Sequence, residues 1–325
     1  MVRYTNWVGF AILLILVFTD TKTFYLWNQV TYLWESNFTP FQIYSGEEAH
    51  FLRYLLTYPI FYISDFFDLN YDFVFSLIIC FLFLLNIFLL SMTMAQQNKG
   101  FINNYFVSGI TVFFLILYSL SNGRGPLALF GYTIIICELI RIECVRGAKF
   151  KSPILFLIGM LFCSVTTGVM LSATLVLFTF IALSLFSFLI GRLTLSKFVE
   201  RLAVISLVPI VFYEAIIIAI RKNLDFYDGG INAAFKMLNH GYGAFVYNHL
   251  PTMSGEIFIA VTIVIFFFFA LLSVLCFSKS FQAIALVSLI CGAYGNTTFA
   301  VAIVPISFLI NHLIGILQTD QNTPA

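Results

Sequence analysis

The sequence predicts an all-α polytopic membrane protein, and three observations carry that prediction. Hydrophobic residues fill 61% of the 325 positions and charged residues only 10%. Soluble domains run nearer 45–50% apolar and about 25% charged. Mean hydropathy is +1.00. The apolar residues fall in long unbroken runs, the pattern of helices that cross a bilayer in roughly 20 residues. Transmembrane β-strands would instead alternate apolar and polar residues over about 10 positions. The same numbers argue against a disordered chain, which needs low hydrophobicity. Lys+Arg 16 against Asp+Glu 15 leaves a formal +1, so there is no basic field and no nucleic-acid partner is expected.

Taken in order, the runs at 5–19, 71–92, 104–120, 126–141, 152–166, 170–191, 202–220, 257–278, 281–294 and 298–317 give about ten transmembrane helices. The first resembles a signal-peptide core, with Arg3 ahead of Trp7 to Phe18. Thr19-Asp20-Thr21-Lys22 follows in place of a small-residue cleavage site, so it reads as an uncleaved anchor. The runs 152–166 and 281–294 are short for a full crossing. Phe51 to Ser64 is apolar and aromatic but shorter still, which suits an interfacial or re-entrant helix. Residues 1–317 thus form one membrane domain, and the polar tail 318–325 reads as disordered.

Short loops rich in Lys and Arg stay in the cytoplasm. With the N-terminus inside and each span alternating, Arg3, Lys99, Arg141, Arg146, Lys149, Lys151, Arg192, Lys197, Arg201 and Lys279 are internal. Fewer basic residues, and most of the acids, then lie outside. Both termini are cytoplasmic on this reading. Two long external loops, 20–70 and 221–256, hold most of the polar mass, which points to work done on that face.

The most informative stretch joins two spans externally: Ser121-Asn122-Gly123-Arg124-Gly125-Pro126-Leu127-Ala128-Leu129-Phe130-Gly131-Tyr132. Pro126 fits the first turn of a helix, where a missing N–H is harmless. Gly123 and Gly125 permit close backbone approach beside Arg124. A guanidinium and helix N-terminal N–H groups would then face one place, an arrangement suited to phosphate or diphosphate. Snorkelling of Arg124 to lipid headgroups is the plainer alternative.

Glu214 lies within the apolar run before Arg221-Lys222. An acid at that depth calls for a basic partner, and Arg124 or Arg221 would serve. Arg221 also suits a headgroup anchor. In the loop 221–256, Asp225, Asp228, His240, Tyr242, Tyr247 and His249 combine rings with donors and acceptors, as sugar recognition requires. His240, set among Asn239, Gly241 and Gly243, is the candidate general base there. In the loop 20–70, Asp20 at the mouth of the first span is the best acid for catalysis. Arg53, the basic residue of its aromatic run, is a candidate substrate-binding residue, and the tryptophans and tyrosines read as interfacial belt residues. Glu143 reads as a structural partner of Arg146 or its neighbours. There is no Walker A, GxSxG or HExxH motif, no CxxC pair, and no metal or cofactor is expected.

These features together resemble bacterial O-antigen and exopolysaccharide polymerases, the Wzy type and the related EpsG-like group. The likeness is topological over most of the chain. It is sequence-like over 121–132, where Arg124 opens a helix of small and apolar residues with Ala128 one turn on. EpsG-like chains often carry a histidine in the next span. This chain has Cys163-Ser164-Val165-Thr166-Thr167-Gly168 there. The resemblance implies a GT-C-like membrane glycosyltransferase of the bacterial inner membrane. Its substrates would be undecaprenyl-diphosphate-linked oligosaccharides at the periplasmic face, and it would work alone or with a chain-length regulator. Arg124 and Arg221 would neutralise the leaving diphosphate, and Asp20 or His240 would deprotonate the acceptor hydroxyl. A lipid-linked glycan flippase, an O-antigen ligase or another polysaccharide-modifying transferase would share much of this pattern.

Overall fold

The computed structural model describes residues 2–19, 24–45, 51–97, 104–120, 123–145, 151–227, 284–288, 291 and 299–321. Among the described residues the fold is helical, with no strand. The helices are α1 (Val2–Thr19), α2 (Asn28–Glu35), α3 (Pro40–Ser45), α4 (Phe51–Phe67), α5 (Tyr71–Gln97) and α6 (Asn104–Leu120). They continue with α7 (Arg124–Val145), α8 (Ser152–Cys163), α9 (Thr167–Leu189), α10 (Leu195–Val211), α11 (Tyr213–Tyr227) and α12 (Phe299–Gln321).

Three of these are long and apolar enough to cross a membrane: residues 71–96 of α5, 124–143 of α7 and 167–189 of α9. The bent pair α10–α11 makes a fourth if it is one broken span. Apolar stretches of α1, α6 and α8 are shorter than that. The chain therefore carries the signature of a membrane protein, with three or four such helices among the described residues where about ten spans were expected of the whole chain. The expected span 257–278 and most of 281–294 lie outside the described residues.

The expected span 202–220 needs correction. It is split between α10 and α11, which meet at Phe212 with a bend of 61°. Pro209 deprives the end of α10 of one backbone donor, and the helix ends at Val211 shortly after. Segment 20–70, expected as an external loop, is largely helical where it is described. Its helices α2, α3 and α4 pack together and against α5. The Trp34 ring stacks on Phe61 at 5.2 Å. The Tyr54 hydroxyl donates to the Phe38 carbonyl at 2.7 Å.

α7 is the innermost of the long helices. Its 124–143 stretch is 94% buried, against 56% and 50% for the corresponding stretches of α5 and α9. α8 runs antiparallel along it. Cys163 approaches the Ala128 carbonyl at one end, and Arg141 reaches Ser152 at the other. α9 runs parallel to α7, because it starts just after Cys163 and its Ser184 meets Arg201 beside Glu143. The start of α5 joins the start of α7 where Phe75 packs on Gly123. The end of α1 arrives at the same place through Phe18 on Phe73.

The bundle therefore has two chemically distinct ends, separated by the 22 residues of α7, roughly 33 Å at 1.5 Å per residue. At one end the charges are matched. Buried Glu138 takes two guanidinium bonds from Arg141. Glu143 pairs with Arg201 at 3.0 Å, a longer-range partner than the expected Arg146. Arg201 also lies over the Phe180 ring. Buried ions are tolerable when paired and bonded in this way. At the other end stands Arg124.

Candidate functional site

Gly123 is the last residue before α7, and its carbonyl accepts the Leu127 N–H at 3.3 Å. Arg124, Gly125 and Pro126 form the first turn. Helix geometry leaves the N–H groups of that turn without intrahelical acceptors, and proline has none to leave. Glycine at 123 is dictated by packing. A Cβ there would fall 2.0 Å from the Phe75 ring.

The guanidinium of Arg124 lies over the Trp27 ring, 4.9 Å from its centre. Trp27 is only 3% exposed and meets Phe75 edge-on at 6.4 Å. The segment that carries Trp27 is tied to the start of α5. The Leu26 N–H donates to Asp72 Oδ1 at 2.8 Å, and the Ser76 hydroxyl donates to the Phe24 carbonyl at 2.8 Å. Chain far from α7 in sequence thus becomes a fixed floor beneath Arg124.

Arg53 of α4 brings a second guanidinium to this end, and it is 6% exposed. Burial, and after it the charge of Arg124, pushes Arg53 down to about 10 from the usual arginine value. At neutral pH both side chains keep their protons, so two positive charges share a poorly solvated place. The ion pairs Glu138–Arg141 and Glu143–Arg201 lie at the opposite end. The Nε of Arg124 and the Nε1 of Trp27 are buried without a hydrogen-bond partner among the described residues. The unfilled capacity of Arg124 and Trp27 is donor capacity. A phosphate fits it, since guanidinium groups grip phosphate through paired N–H bonds and helix N-termini favour anions.

The structure thus brings together two of the residues singled out in the sequence, Arg53 and Arg124. Arg221 and Glu214 are elsewhere, both exposed on α11, which packs against α9 and α10. Glu214 forms no ion pair with Arg124 or Arg221 among the described residues, which corrects the expected pairing. Two helical turns separate Glu214 from Arg221, about 10 Å of rise. Asp20, His240, Tyr242 and His249 lie outside the described residues. Cys80, Cys137, Cys163 and Cys291 are free and buried. Among the described residues no group of three His, Cys, Asp or Glu could hold a metal ion.

Family models, curated proteins and solved structures show no match to this chain. The site is therefore read from its own chemistry.

Sequence reasoning passed over Trp27 as one belt aromatic among many. The only signal was its place in a polar external segment beside Tyr25 and Asn28. A cation over an indole is worth about 0.5–2 kcal/mol. Trp27→Leu should therefore weaken anion binding at this end roughly two- to thirtyfold. Trp27→Phe should keep the larger share. Titration of the purified variants with inorganic pyrophosphate checks both.

Proposed function

We propose that the chain is a membrane glycosyltransferase of the polysaccharide-polymerase type. It transfers an undecaprenyl-diphosphate-linked glycan onto another lipid-linked repeat unit. The observation that carries this reading is the approach of buried Arg53 to partly buried Arg124 at the start of the most buried long helix. On this reading the frame is GT-C-like with about ten spans, set in the bacterial inner membrane, and the Arg124 end faces the periplasm. A chain-length regulator would act as its partner.

The chemistry asks little of the protein beyond charge placement. A sugar hydroxyl of the acceptor attacks the anomeric carbon of the donor glycan. The bond from that carbon to the diphosphate oxygen breaks, and its electron pair leaves with undecaprenyl diphosphate. Negative charge on the leaving oxygens rises as the bond breaks, and Arg124 and Arg53 stabilise it from a fixed position. The acceptor proton goes to a base, for which Asp20 and His240 are the candidates.

A second reading, a lipid-linked glycan flippase, draws support from the bend between α10 and α11. Transporters often place discontinuous helices at their substrate sites. Surface polysaccharide from a bacterial strain lacking this chain separates the readings on a gel. A single repeat unit per acceptor supports the polymerase. Complete loss of repeats supports a flippase or ligase, and normal length with altered composition supports a modifying transferase.

A further inference from the structure

We infer that α4 lies in the plane of the membrane interface and sinks its outward stripe, Leu55, Pro59, Tyr62, Ile63 and Phe66, into lipid. These residues recur at the spacing of one helix face. Leu55, Tyr62, Ile63 and Phe66 are 39%, 62%, 44% and 80% exposed, and Pro59 is exposed with them. The opposite face, which carries Arg53, Tyr54, Thr57, Ile60, Phe61 and Ser64, is buried. Both faces of α4 are largely apolar, and the chain covers one of them. An exposed apolar stripe of this kind marks contact with another apolar body.

The lie of the helix helps to say which body. α5 and α7 are long and apolar enough to cross a membrane, and α4 does not follow them. Phe61 packs on Tyr71, the first residue of α5, at 5.5 Å. Were α4 folded back along α5 from their shared turn, Phe61 would instead meet Leu77, about 9 Å further in. Arg53 stands about 12 Å from Phe61 along α4, yet it still feels the charge of Arg124 at the start of α7. α4 therefore runs across the end of the bundle. Across the end of membrane-crossing helices means along the membrane surface.

The neighbours of α4 give the layer two sides. α2 packs on α4 through Trp34, whose ring meets Tyr58, Phe61 and Tyr62. The exposed residues of α2 are Asn28, Gln29, Tyr32 and Glu35, three polar side chains and a tyrosine. One outer surface of the layer is thus polar and the other apolar, as an interfacial element requires, with α2 toward water and the α4 stripe toward acyl chains. Lipid reaches this level on α1, whose Phe18 is 67% exposed where it packs on Phe73 of α5. Asp65 and Asp68, both exposed, stand at the far end of the stripe. Apolar burial, not attraction to anionic headgroups, therefore holds α4 in place. Arg53 sits on the inner face of the same helix, so this anchor fixes its depth in the layer where a lipid-borne phosphate lies. The inference rests on the membrane class and not on the polymerase reading.

The test uses the purified full chain in dioleoylphosphatidylcholine vesicles. A fluorescent amino acid excited outside the tryptophan band replaces Leu55, Tyr62 or Phe66, one at a time, and Tyr32 as the water-side control. The quenchers are iodide on both sides of the membrane and phosphatidylcholines with a nitroxide at the headgroup, or at a shallow or deep chain carbon. The three α4 positions should lose most of their emission to the headgroup and shallow nitroxides, resist iodide, and report one common depth, about 5–10 Å into the interface. Position 32 should respond to iodide and not to the chain nitroxides, which also shows the layer folded. A depth that changes by about 16 Å between positions 55 and 66 would make α4 a crossing helix and overturn the inference. Iodide quenching as strong as at position 32 would turn the stripe to water, with the same consequence. Shelter from iodide and from every nitroxide would put a second copy or another protein on the stripe, and chain-nitroxide quenching at position 32 would abolish the two-sided layer. Either result overturns it.

Discussion

Arg124→Ala abolishes long-chain polysaccharide and leaves the membrane level of the protein unchanged. The two halves of that expectation have separate grounds. Activity falls because the guanidinium stands where leaving-group charge must be stabilised. Loss of one preorganised donor to such charge costs about 10²–10³ in rate. Protein level holds because Arg124 makes no ion pair among the described residues and is attached chiefly through its stack on Trp27. Removing it also relieves repulsion on Arg53. Arg124→Lys keeps the charge, loses the paired N–H fork and restores only part of the activity. A polysaccharide ladder beside an immunoblot of the same membranes reads both quantities. Normal chain length in Arg124→Ala would remove the main residue of the proposal.

Gly131→Leu takes the bundle apart. α7 and α8 cross where Gly131 faces Gly159. A Cβ on Gly131 would fall 2.4 Å from the Gly159 carbonyl oxygen, 2.6 Å from the Phe162 Cβ and 2.8 Å from the Cys163 nitrogen. Those are backbone and near-backbone atoms, which cannot turn aside. Even alanine must push the helices apart, at about 1–3 kcal/mol, and a leucine adds three more carbons to the clash. Small residues at such crossings are what let helices associate in a membrane, where packing replaces the hydrophobic drive. Thermal melts in detergent should show Gly131→Ala several degrees below wild type and Gly131→Leu aggregated on extraction. Gly109→Ala is the control, because nothing lies within 4 Å of a Cβ built there. It should melt at or above wild type through its better helix propensity.

Hydropathy made the membrane class legible, but it ranks the helices in the reverse order of their burial. The 71–96 stretch of α5 has mean hydropathy 2.9 and is 56% buried, whereas 124–143 of α7 has 1.6 and is 94% buried. The physical reason is that a helix surrounded by lipid must be apolar on every face. A helix surrounded by protein can carry glycine, threonine, glutamate and arginine, provided neighbours satisfy them. The start of α7 was readable because Gly-Arg-Gly-Pro is local chemistry, a turn followed by a residue suited to a first helical turn. Arg53 was readable as a charge in an aromatic run.

The floor of the site was not readable. Trp27 meets Arg124 only because Asp72 and Ser76 anchor the Phe24–Leu26 backbone, and no spacing rule connects those residues. The break at Phe212 escaped notice for a different reason. The run 202–220 is apolar on both sides of it, so composition carries no sign of a bend beyond Pro209. Glu143 was read as a partner of Arg146 or its neighbours, and Arg146 lies outside the described residues. The pairing of Glu143 with Arg201 required the antiparallel and parallel packing of α7 to α10, which is tertiary information.

Reconstitution decides the central claim. Purified wild-type chain in liposomes receives undecaprenyl-diphosphate-linked repeat units, and the products are sized while released undecaprenyl diphosphate is counted. The account predicts chains longer than one repeat, one undecaprenyl diphosphate released per bond formed, and neither product from the Arg124→Ala protein. Lipid-linked units that cross the bilayer unextended, or elongation that proceeds equally well without Arg124, would contradict it.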